Sequence, residues 1–326
     1  MSRVRKAVIT AAGKGTRLYP GTQAVQKELF PLVDVDGVAR AVIHIIAGEA
    51  LAAHVEEICI VASPESLEQY RRYFARPPVE LLNSLSSKPW AMEEAAKLER
   101  LAERITYAVQ EKPEGYGHAV YCARHFTGDE SFLLMLGDHV YITDQNERCA
   151  TQMIRCHEKH GAPVSGVWRA PERVLHLYGT VAGMPVPGEP RLYEATAIYE
   201  KPSPEYARRF LRTPGLDEGI YLCFFGMHVL PPAIYDCIKY HIDRDIRLNG
   251  EIQLTNAQEL LRSQQRYLAL EVEGKAYDMG VPAGLLATQT ALGLRSPLAD
   301  SVLREVESFS SEDGEQNTRM PEPAKA

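Results

Sequence analysis

The chain of 326 residues is 45% apolar and 24% charged, a composition that suits one large globular domain or two closely associated ones. Its net charge of −7 argues against a nucleic-acid-binding surface, and no apolar run approaches the roughly 20 residues that a membrane-spanning helix needs. The six cysteines form no C-x-x-C pair and the histidines form no metal-binding motif. We therefore expect buried, reduced cysteines, no structural zinc, and a cytoplasmic location without a signal peptide.

Apolar runs alternate with segments of helical periodicity in the first half of the chain. The predicted strands are residues 7–11, 57–62, 105–109 and 132–136. The predicted helices are residues 38–51, 64–74, 91–104 and 118–125. Because helices that separate buried strands imply parallel crossovers, we expect an α/β fold with a doubly wound, mostly parallel mixed sheet of Rossmann-like type.

The pattern changes after about residue 163, where apolar segments become longer and more widely separated. These segments are residues 192–199, 220–230 and 267–272, and a turn-rich loop is predicted at 183–190. We expect a single domain over residues 1–307, with a first half to about 162, a second half over about 163–295 and a C-terminal helix at about 296–307. The Ser-, Glu- and Pro-rich residues 308–326 are predicted to be a disordered tail.

The loop after the first strand combines small residues with cations. Gly13 and Gly15 allow a ligand to approach the backbone closely, and Lys14, Arg17 and Lys27 supply positive charge. Such a loop suits a polyphosphate, although an ordinary strand-to-helix loop with surface charges is the alternative interpretation.

Two commoner phosphate motifs are excluded by spacing. A dinucleotide-binding fingerprint requires a third glycine where this chain has Leu18, and a P-loop requires Ser or Thr after Lys14, where this chain has Gly15. The loop therefore indicates neither an NAD-dependent oxidoreductase nor a P-loop ATPase.

Two aspartates are candidate metal ligands. Asp138 follows a buried strand and a glycine, and Asp278 lies in the segment Ala-Tyr-Asp-Met-Gly. Mg²⁺ needs only one or two protein carboxylates when substrate phosphates and water complete its coordination. A turn or helix-cap role is the alternative for each, and the sequence alone does not show that the two meet.

An ordered set of motifs resembles the sugar-1-phosphate nucleotidyltransferase family, most closely its branch of bacterial UTP–glucose-1-phosphate uridylyltransferases. The resemblance covers residues 6–293. It rests on the first loop with Lys-Glu-Leu-Phe-Pro at 27–31, Gly-Tyr-Gly-His-Ala at 115–119, Tyr-Gly-Thr-Val at 178–181, Glu-Lys-Pro at 200–202 and Gly-Glu-Ile-Gln-Leu-Thr at 250–255. It implies an enzyme that forms UDP-glucose and pyrophosphate from UTP and glucose 1-phosphate, by in-line attack on the α-phosphate with Mg²⁺.

The resemblance also implies nucleotide-binding roles for matched positions. The groups that recognise uracil and form the first loop would be Ala12, Gly13, Gly15, Gln110 and Gly115. Lys14 and Arg17 would hold the β- and γ-phosphates of UTP, and Lys27 would stabilise the α-phosphate as it is attacked. Glu28 is expected to order the first loop.

Sugar and metal sites follow from the same resemblance. Gly179 would allow close approach of the sugar, Glu200 would bind its hydroxyls, and Lys201 would bind its phosphate. Asp138 and Asp278 would hold Mg²⁺ as the cofactor. Arg17, Lys27 and Lys201 are therefore the predicted catalytic residues, the second half of the chain is a sugar-binding subdomain, and a homo-oligomer is expected.

Two positions depart from the family pattern. Relatives often have lysine where this chain has Gln23, and aspartate where it has His139, which we interpret as a packing or hydrogen-bonding side chain rather than a metal ligand. Alternatives therefore stay open: the same chemistry with another sugar 1-phosphate or with dTTP or CTP, and a catalytically silent nucleotide-sugar-binding protein. A phosphate-binding oxidoreductase is a distant third.

Overall fold

The structure, a computed structural model, describes residues 3–312 and, within the last helix, side chains as far as residue 308. The strands are β1 Lys6–Ala11, β2 Pro31–Val33, β3 Ala39–Ala41, β4 Glu57–Ala62, β5 Ile105–Val109, β6 Phe132–Leu136, β7 His139–Ile142, β8 Val164–Pro171, β9 Gly179–Val186, β10 Glu189–Glu200, β11 Ile220–Leu230, β12 Leu268–Glu271 and β13 Lys275–Asp278. The α-helices are α1 Gly21–Ala24, α2 Val42–Ala52, α3 Pro64–Phe74, α4 Val79–Leu85, α5 Pro89–Ala102, α6 Tyr116–Cys122, α7 Arg124–Thr127, α8 Cys149–His160, α9 Pro204–Phe210, α10 Ala233–Asp243, α11 Leu254–Gln264, α12 Pro282–Gly293 and α13 Ala299–Glu312. Within this part of the chain, no helix is both long and apolar enough to cross a membrane.

Within the described residues, nine strands form one sheet in the order β5-β4-β1-β6-β11-β8-β12-β10-β9. Strands β5, β4, β1 and β6 are mutually parallel, β11 is antiparallel to β6 and β8, and β12 is parallel to β8. Two short ribbons, β2–β3 and β7–β13, lie outside this sheet. The predicted mixed α/β fold is confirmed, and its antiparallel pairs lie mainly in the second half of the chain.

Apolar side chains cover both faces of the sheet, as a doubly wound arrangement requires. Along β1, Ile9 packs in a cluster with Ile43 and Ile46 of α2, whereas Val8 packs in a second cluster with Val120 of α6. Because both faces of β1 are buried, the strand reads as a continuous apolar run in the sequence. Strands β4, β5 and β6 begin and end where the sequence predicted.

The carboxyl ends of the central strands lie at one edge of the sheet. Thr10 of β1 is opposite Leu136 of β6, and Ala11 is opposite Ala62 of β4. The loops that follow these strands, together with the loop after β5, therefore emerge side by side. Ligands of open α/β sheets bind at this edge.

Three predicted helices have different ends in the structure. The helix predicted at 91–104 is shifted to α5, Pro89–Ala102, and the other two differ at local turns. The helix predicted at 38–51 begins only at α2, because Gly37, with φ +85°, closes a turn that pairs β3 with β2. The helix predicted at 118–125 begins earlier, after Gly115, and is interrupted at Ala123, so that α6 and α7 are separate. These last two differences arise where a local turn outweighs helical periodicity.

The turn-rich loop predicted at 183–190 is shorter in the structure than the sequence predicted. Most of it belongs to β9 and β10, and only Pro187 and Gly188 connect these strands, with Gly188 at φ +77°. Strand β9 also pairs with β11 at Thr180 and Val181, but Pro185 lies beyond that pairing, with β10 on one side, where a missing N–H breaks little of the hydrogen-bond ladder.

The C-terminal helix is longer than predicted. Helix α13 continues to Glu312, so residues 308–312 are helical rather than part of a disordered tail, and residues 313–326 lie outside the described part. Cys122 is half-buried and the other five cysteines are buried, and all six are free, as expected for small apolar side chains.

Candidate active site

The conformation of the loop after β1 is fixed by hydrogen bonds from Thr22 and Gln26. Gly15 has φ +62°, and a Cβ there would lie 2.8 Å from Cγ2 of Thr22. The Thr22 hydroxyl donates to the Gly15 carbonyl at 3.1 Å, and Nε2 of Gln26 donates to the Gly13 carbonyl at 2.7 Å. This exposed backbone is available to a ligand, as the glycines predicted.

Lys27 lies beneath this loop and faces carboxylates. Its Nζ is 2.5 Å from Oδ2 of Asp138 and 3.7 Å from Oε1 of Glu28, and the residue is only 9% exposed. Burial by itself lowers the pKa of Lys27, but the two carboxylates outweigh it, and the net pKa is raised. Lys27 is therefore a fixed positive charge at the edge of the sheet.

Glu28 is a buried carboxyl group that supports the loop. Its Oε2 accepts from the Tyr70 hydroxyl at 3.0 Å and from Nε2 of Gln26 at 2.9 Å. Burial raises the pKa of Glu28 to about 7, Asp138 adds to the rise, and Lys27 opposes it. Since Gln26 also binds the Gly13 carbonyl, these bonds favour the expected ordering role of Glu28.

Glu28→Gln should alter the pH dependence of stability. Because the pKa of Glu28 is about 7 in the folded chain against 4.5 in the reference state, the folded state binds this proton more tightly. Its stabilisation is fully present below pH 4.5 and is lost as the pH rises through 7. Relative to the variant, the free energy of unfolding of the wild type should fall by roughly 3 kcal/mol between about pH 5 and about pH 8 in urea titrations. Parallel pH profiles would contradict this assignment.

The β7–β13 ribbon brings together the two predicted metal ligands. Asp278 is directly opposite His139, and the Met279 N–H donates to the Asp138 carbonyl at 3.0 Å. Carboxylate oxygens of Asp138 and Asp278 and a ring nitrogen of His139 all lie within 4.8 Å of one another. Burial raises the pKa of the Asp138 carboxyl, but hydrogen bonding from His139 and the charge of Lys27 outweigh it and hold that pKa well below its usual range.

Gly280 packs closely beside these carboxylates. A Cβ there would lie 2.8 Å from Oδ2 of Asp138 and 2.9 Å from both Oδ1 of Asp278 and Nη2 of Arg17, so a side chain at this position would displace them. The Arg17 guanidinium is mostly exposed, and its Nη1 is 3.7 Å from Oδ2 of Asp278. The convergence of carboxylate oxygens from Asp138 and Asp278 suits a small, hard divalent cation.

Gly280→Ala should impair the site without unfolding the chain. Alanine suits the backbone here, since Gly280 is not among the positive-φ residues, but its methyl group would displace the carboxylates or Arg17. We expect kcat/KM to fall by about 10²-fold, as a displacement near 1 Å can cause, in a pyrophosphate-release assay with a cation titration. Gly293→Ala is the matched control, because nothing lies within 4 Å of its added methyl group. Equal activity of the two variants would contradict the prediction.

The second loop is fixed by the segment at 250–255. Gly115 has φ +113°, and a Cβ there would lie 2.8 Å from the backbone of Ile252. The Gly117 N–H donates to the Ile252 carbonyl at 2.8 Å, and Nε2 of Gln110 donates to the Gly115 carbonyl at 3.1 Å. The glycines of Gly-Tyr-Gly-His-Ala are therefore needed for close packing against Gly-Glu-Ile-Gln-Leu-Thr.

The predicted sugar-binding residues lie together on β9 and β10. Gly179 is opposite Glu200, and a Cβ at Gly179 would lie 2.5 Å from Cδ2 of Phe224 and 3.2 Å from Oε2 of Glu200. The Thr255 hydroxyl donates to the same oxygen at 2.5 Å. Lys201 has φ +47°, and its half-exposed ammonium is 3.6 Å from Oε1 of Glu200.

Tyr116 links the two groups of residues. Its pKa is raised by burial first, then by Asp138, and Glu200 contributes as well, so the phenol senses both carboxylates. Among the described residues, the Tyr116 hydroxyl is the one buried polar side-chain atom without a hydrogen-bond partner. The segment at 250–255 contacts both groups, because the Gly117 N–H donates to the Ile252 carbonyl and the Thr255 hydroxyl donates to Glu200, so the nucleotide-side and sugar-side residues border one region.

A hollow of about 550 Å³ lies away from these residues. Its cations are engaged by acids: Arg40 binds Asp34 and Glu94, and Arg148 is 3.4 Å from Glu49. Because its lining includes none of the predicted site residues, this hollow is separate from the candidate site.

Comparison with known proteins identifies the family. A profile described as nucleotidyl transferase matches residues 6–293. The chain belongs to this family. Among nucleotidyl transferases, the UTP–glucose-1-phosphate uridylyltransferase of Bacillus subtilis (strain 168) is 36% identical over 290 residues, which is 88% of this chain and 90% of that protein. The predicted family membership is therefore confirmed.

Two solved structures of nucleotidyl transferases superpose on most of the chain. A UTP-bound UGPase from Acinetobacter baumannii matches with a TM-score of 0.76 and 25% identity, covering 94% of this chain and 99% of that one. A UDP-glucose pyrophosphorylase complexed with UDP-glucose matches with a TM-score of 0.70 and 25% identity, covering 88% and 98%.

The structure brings most of the predicted site residues of this nucleotidyl transferase to one edge of the sheet. The Lys14 side chain is exposed on the first loop. Contacts that the sequence did not predict include Gln26, Tyr70 and Thr255. Gln26 directly precedes the candidate Lys27, whereas no local pattern identifies Tyr70, which reaches the site only through folding.

Proposed function

We propose that this nucleotidyl transferase forms UDP-glucose and pyrophosphate from UTP and glucose 1-phosphate. The observation that carries the proposal is the convergence of Lys27, Asp138 and Asp278 at one edge of the sheet. The names of the similar proteins support these substrates, since one relative is a UTP–glucose-1-phosphate uridylyltransferase and similar structures hold UTP and UDP-glucose.

The reaction needs positioning and charge neutralisation rather than a general base. The phosphate oxygen of glucose 1-phosphate is already an anion, and it attacks the α-phosphorus of UTP as pyrophosphate leaves. Lys27, held at a fixed position by Asp138, would neutralise charge at the α-phosphate. Arg17 and Lys14, both exposed on the first loop, would bind the leaving phosphates.

The nucleoside and sugar would be recognised by the two sides of the site. Backbone groups of Ala12 and Gly13, together with Gln110 and Gly115, would contact uracil. The sugar hydroxyls would bind Glu200, and the sugar phosphate would bind Lys201, whose ammonium is half-exposed. We propose on this basis that residues 1–162 and 163–295 act as nucleotide-binding and sugar-binding halves of one domain.

Asp138 and Asp278 would hold Mg²⁺. Their oxygen donors, which converge within 4.8 Å, suit a small hard cation. When bound, such an ion would neutralise charge on the phosphates of UTP. Lys27 and Arg17 each contact one of these carboxylates and would keep them oriented. The homo-oligomeric state and cytoplasmic location stay predictions.

A substrate grid tests the proposed function. Pyrophosphate release would be measured with UTP, dTTP and CTP against glucose 1-phosphate, galactose 1-phosphate and N-acetylglucosamine 1-phosphate, with and without Mg²⁺. We expect the highest kcat/KM for UTP with glucose 1-phosphate. A different best pair would identify another sugar or nucleotide, and tight UDP-glucose binding without pyrophosphate exchange would identify a silent binding protein; either result would contradict the proposal.

A further inference from the structure

His139 lies at the same place as the two carboxylates. It begins β7 directly opposite Asp278 of β13, and directly opposite residues of an antiparallel pair project to the same face. Its Nδ1 is 3.1 Å from Oδ1 of Asp138. The imidazole therefore points into the cluster rather than away from it.

The spacing fits a shared cation as well as a hydrogen bond. Neighbouring ligands of an octahedral ion with bonds of about 2.1 Å are separated by about 3.0 Å. The separation of 3.1 Å between Nδ1 of His139 and Oδ1 of Asp138 matches that edge. Lys27 contacts the other carboxylate oxygen, Oδ2, so its ammonium does not occupy the Oδ1 side.

The carboxylate of Asp278 is only partly engaged by the described residues. Its Oδ1 accepts from the Gly280 N–H at 2.8 Å, and its Oδ2 is 3.7 Å from the Arg17 guanidinium, too far for a hydrogen bond. A cation can therefore bind Asp138, His139 and Asp278 without displacing Lys27. An imidazole nitrogen is a softer ligand than a carboxylate oxygen and favours transition-metal ions over Mg²⁺.

We propose that His139 is a third protein ligand of the divalent cation, through Nδ1, and biases the site toward ions such as Mn²⁺ and Co²⁺. This revises the interpretation of His139 from sequence as a packing or hydrogen-bonding side chain. The inference rests on the proposed function only in that a cation binds at Asp138 and Asp278. Without a bound cation, Nδ1–H donates to Oδ1 of Asp138; with a cation bound, Nδ1 would be unprotonated and the ring proton would be on Nε2.

Pulsed EPR of Mn²⁺ bound to the full chain with UTP, without sugar phosphate, tests the inference. We expect nitrogen hyperfine coupling from a directly bound imidazole, which changes when the protein carries ¹⁵N-histidine. His139→Gln should lose this coupling, and the ratio of Mn²⁺ to Mg²⁺ affinity should fall about tenfold or more. The control variant is His176→Gln, because His176 is exposed. This variant should keep both the nitrogen coupling and the wild-type ratio of Mn²⁺ to Mg²⁺ affinity.

The possible EPR results test the ligand role of His139 separately from the proposed reaction. Bound Mn²⁺ without histidine coupling overturns the ligand role of His139, and the substrate grid still decides the reaction. Absence of any bound Mn²⁺ also overturns it. Should His139→Gln fail to fold, ¹⁵N labelling of the wild type alone decides whether histidine is coordinated. Coupling with no turnover in the grid would support the ligand role while contradicting the proposed function.

Discussion

Lys27→Ala should lower kcat by about 10³-fold while the chain remains folded, because loss of a single fixed charge-stabilising group costs about 10²–10³-fold in other enzymes. The Lys27 ammonium is almost fully buried, contacts Asp138, and has a raised pKa that keeps it charged. Alanine removes that charge and leaves the carboxylates of Asp138 and Glu28 facing the phosphates. Steady-state pyrophosphate release with saturating UTP and glucose 1-phosphate measures the effect.

The matched control is Lys239→Ala. Lys239 also pairs with an aspartate, Asp243, but on the exposed surface of α10, where an ion pair contributes little. We expect Lys27→Ala to fold, because Asp138 keeps its hydrogen bond with His139, and circular dichroism would confirm this. A folded Lys27→Ala protein with kcat near that of Lys239→Ala would refute the catalytic role.

Asp138→Asn should reduce turnover by about 10²–10³-fold through both charge and metal binding. Asparagine has nearly the same shape as aspartate, but its neutral amide no longer pairs with Lys27 and is a weaker cation ligand. We expect the concentration of Mg²⁺ that gives half-maximal activity to rise at least about tenfold. Pyrophosphate release over an Mg²⁺ titration separates the loss of affinity from the loss of kcat.

Asp243→Asn provides the corresponding surface control, since it removes a carboxylate from the exposed pair with Lys239. If Asp138→Asn retained both kcat and the wild-type Mg²⁺ requirement, Asp138 would be a structural turn residue, which is the alternative that its position after β6 left open.

The local sequence predicted best the strands that are buried along their whole length. Strands β4, β5 and β6 were located to the residue, because buried parallel strands are short apolar runs bounded by polar loops. The prediction was poorer where a turn decided the outcome, as at Gly37 and at Pro187–Gly188. There, pairing with a neighbouring strand determined the structure, and periodicity within one segment carries no information about that pairing.

The sequence by itself determined the fold class and the identity of the candidate residues, and it predicted phosphate binding by the first loop, because these inferences depend on residue type and short-range order. The tertiary structure decided which of them meet. Asp138 and Asp278 are 140 positions apart in sequence, and the β7–β13 pairing brings their carboxylates together. It also decided that Glu28 is buried with a pKa of about 7 and that His139 faces the carboxylates. Such properties arise from long-range strand pairing and burial, which no local pattern encodes.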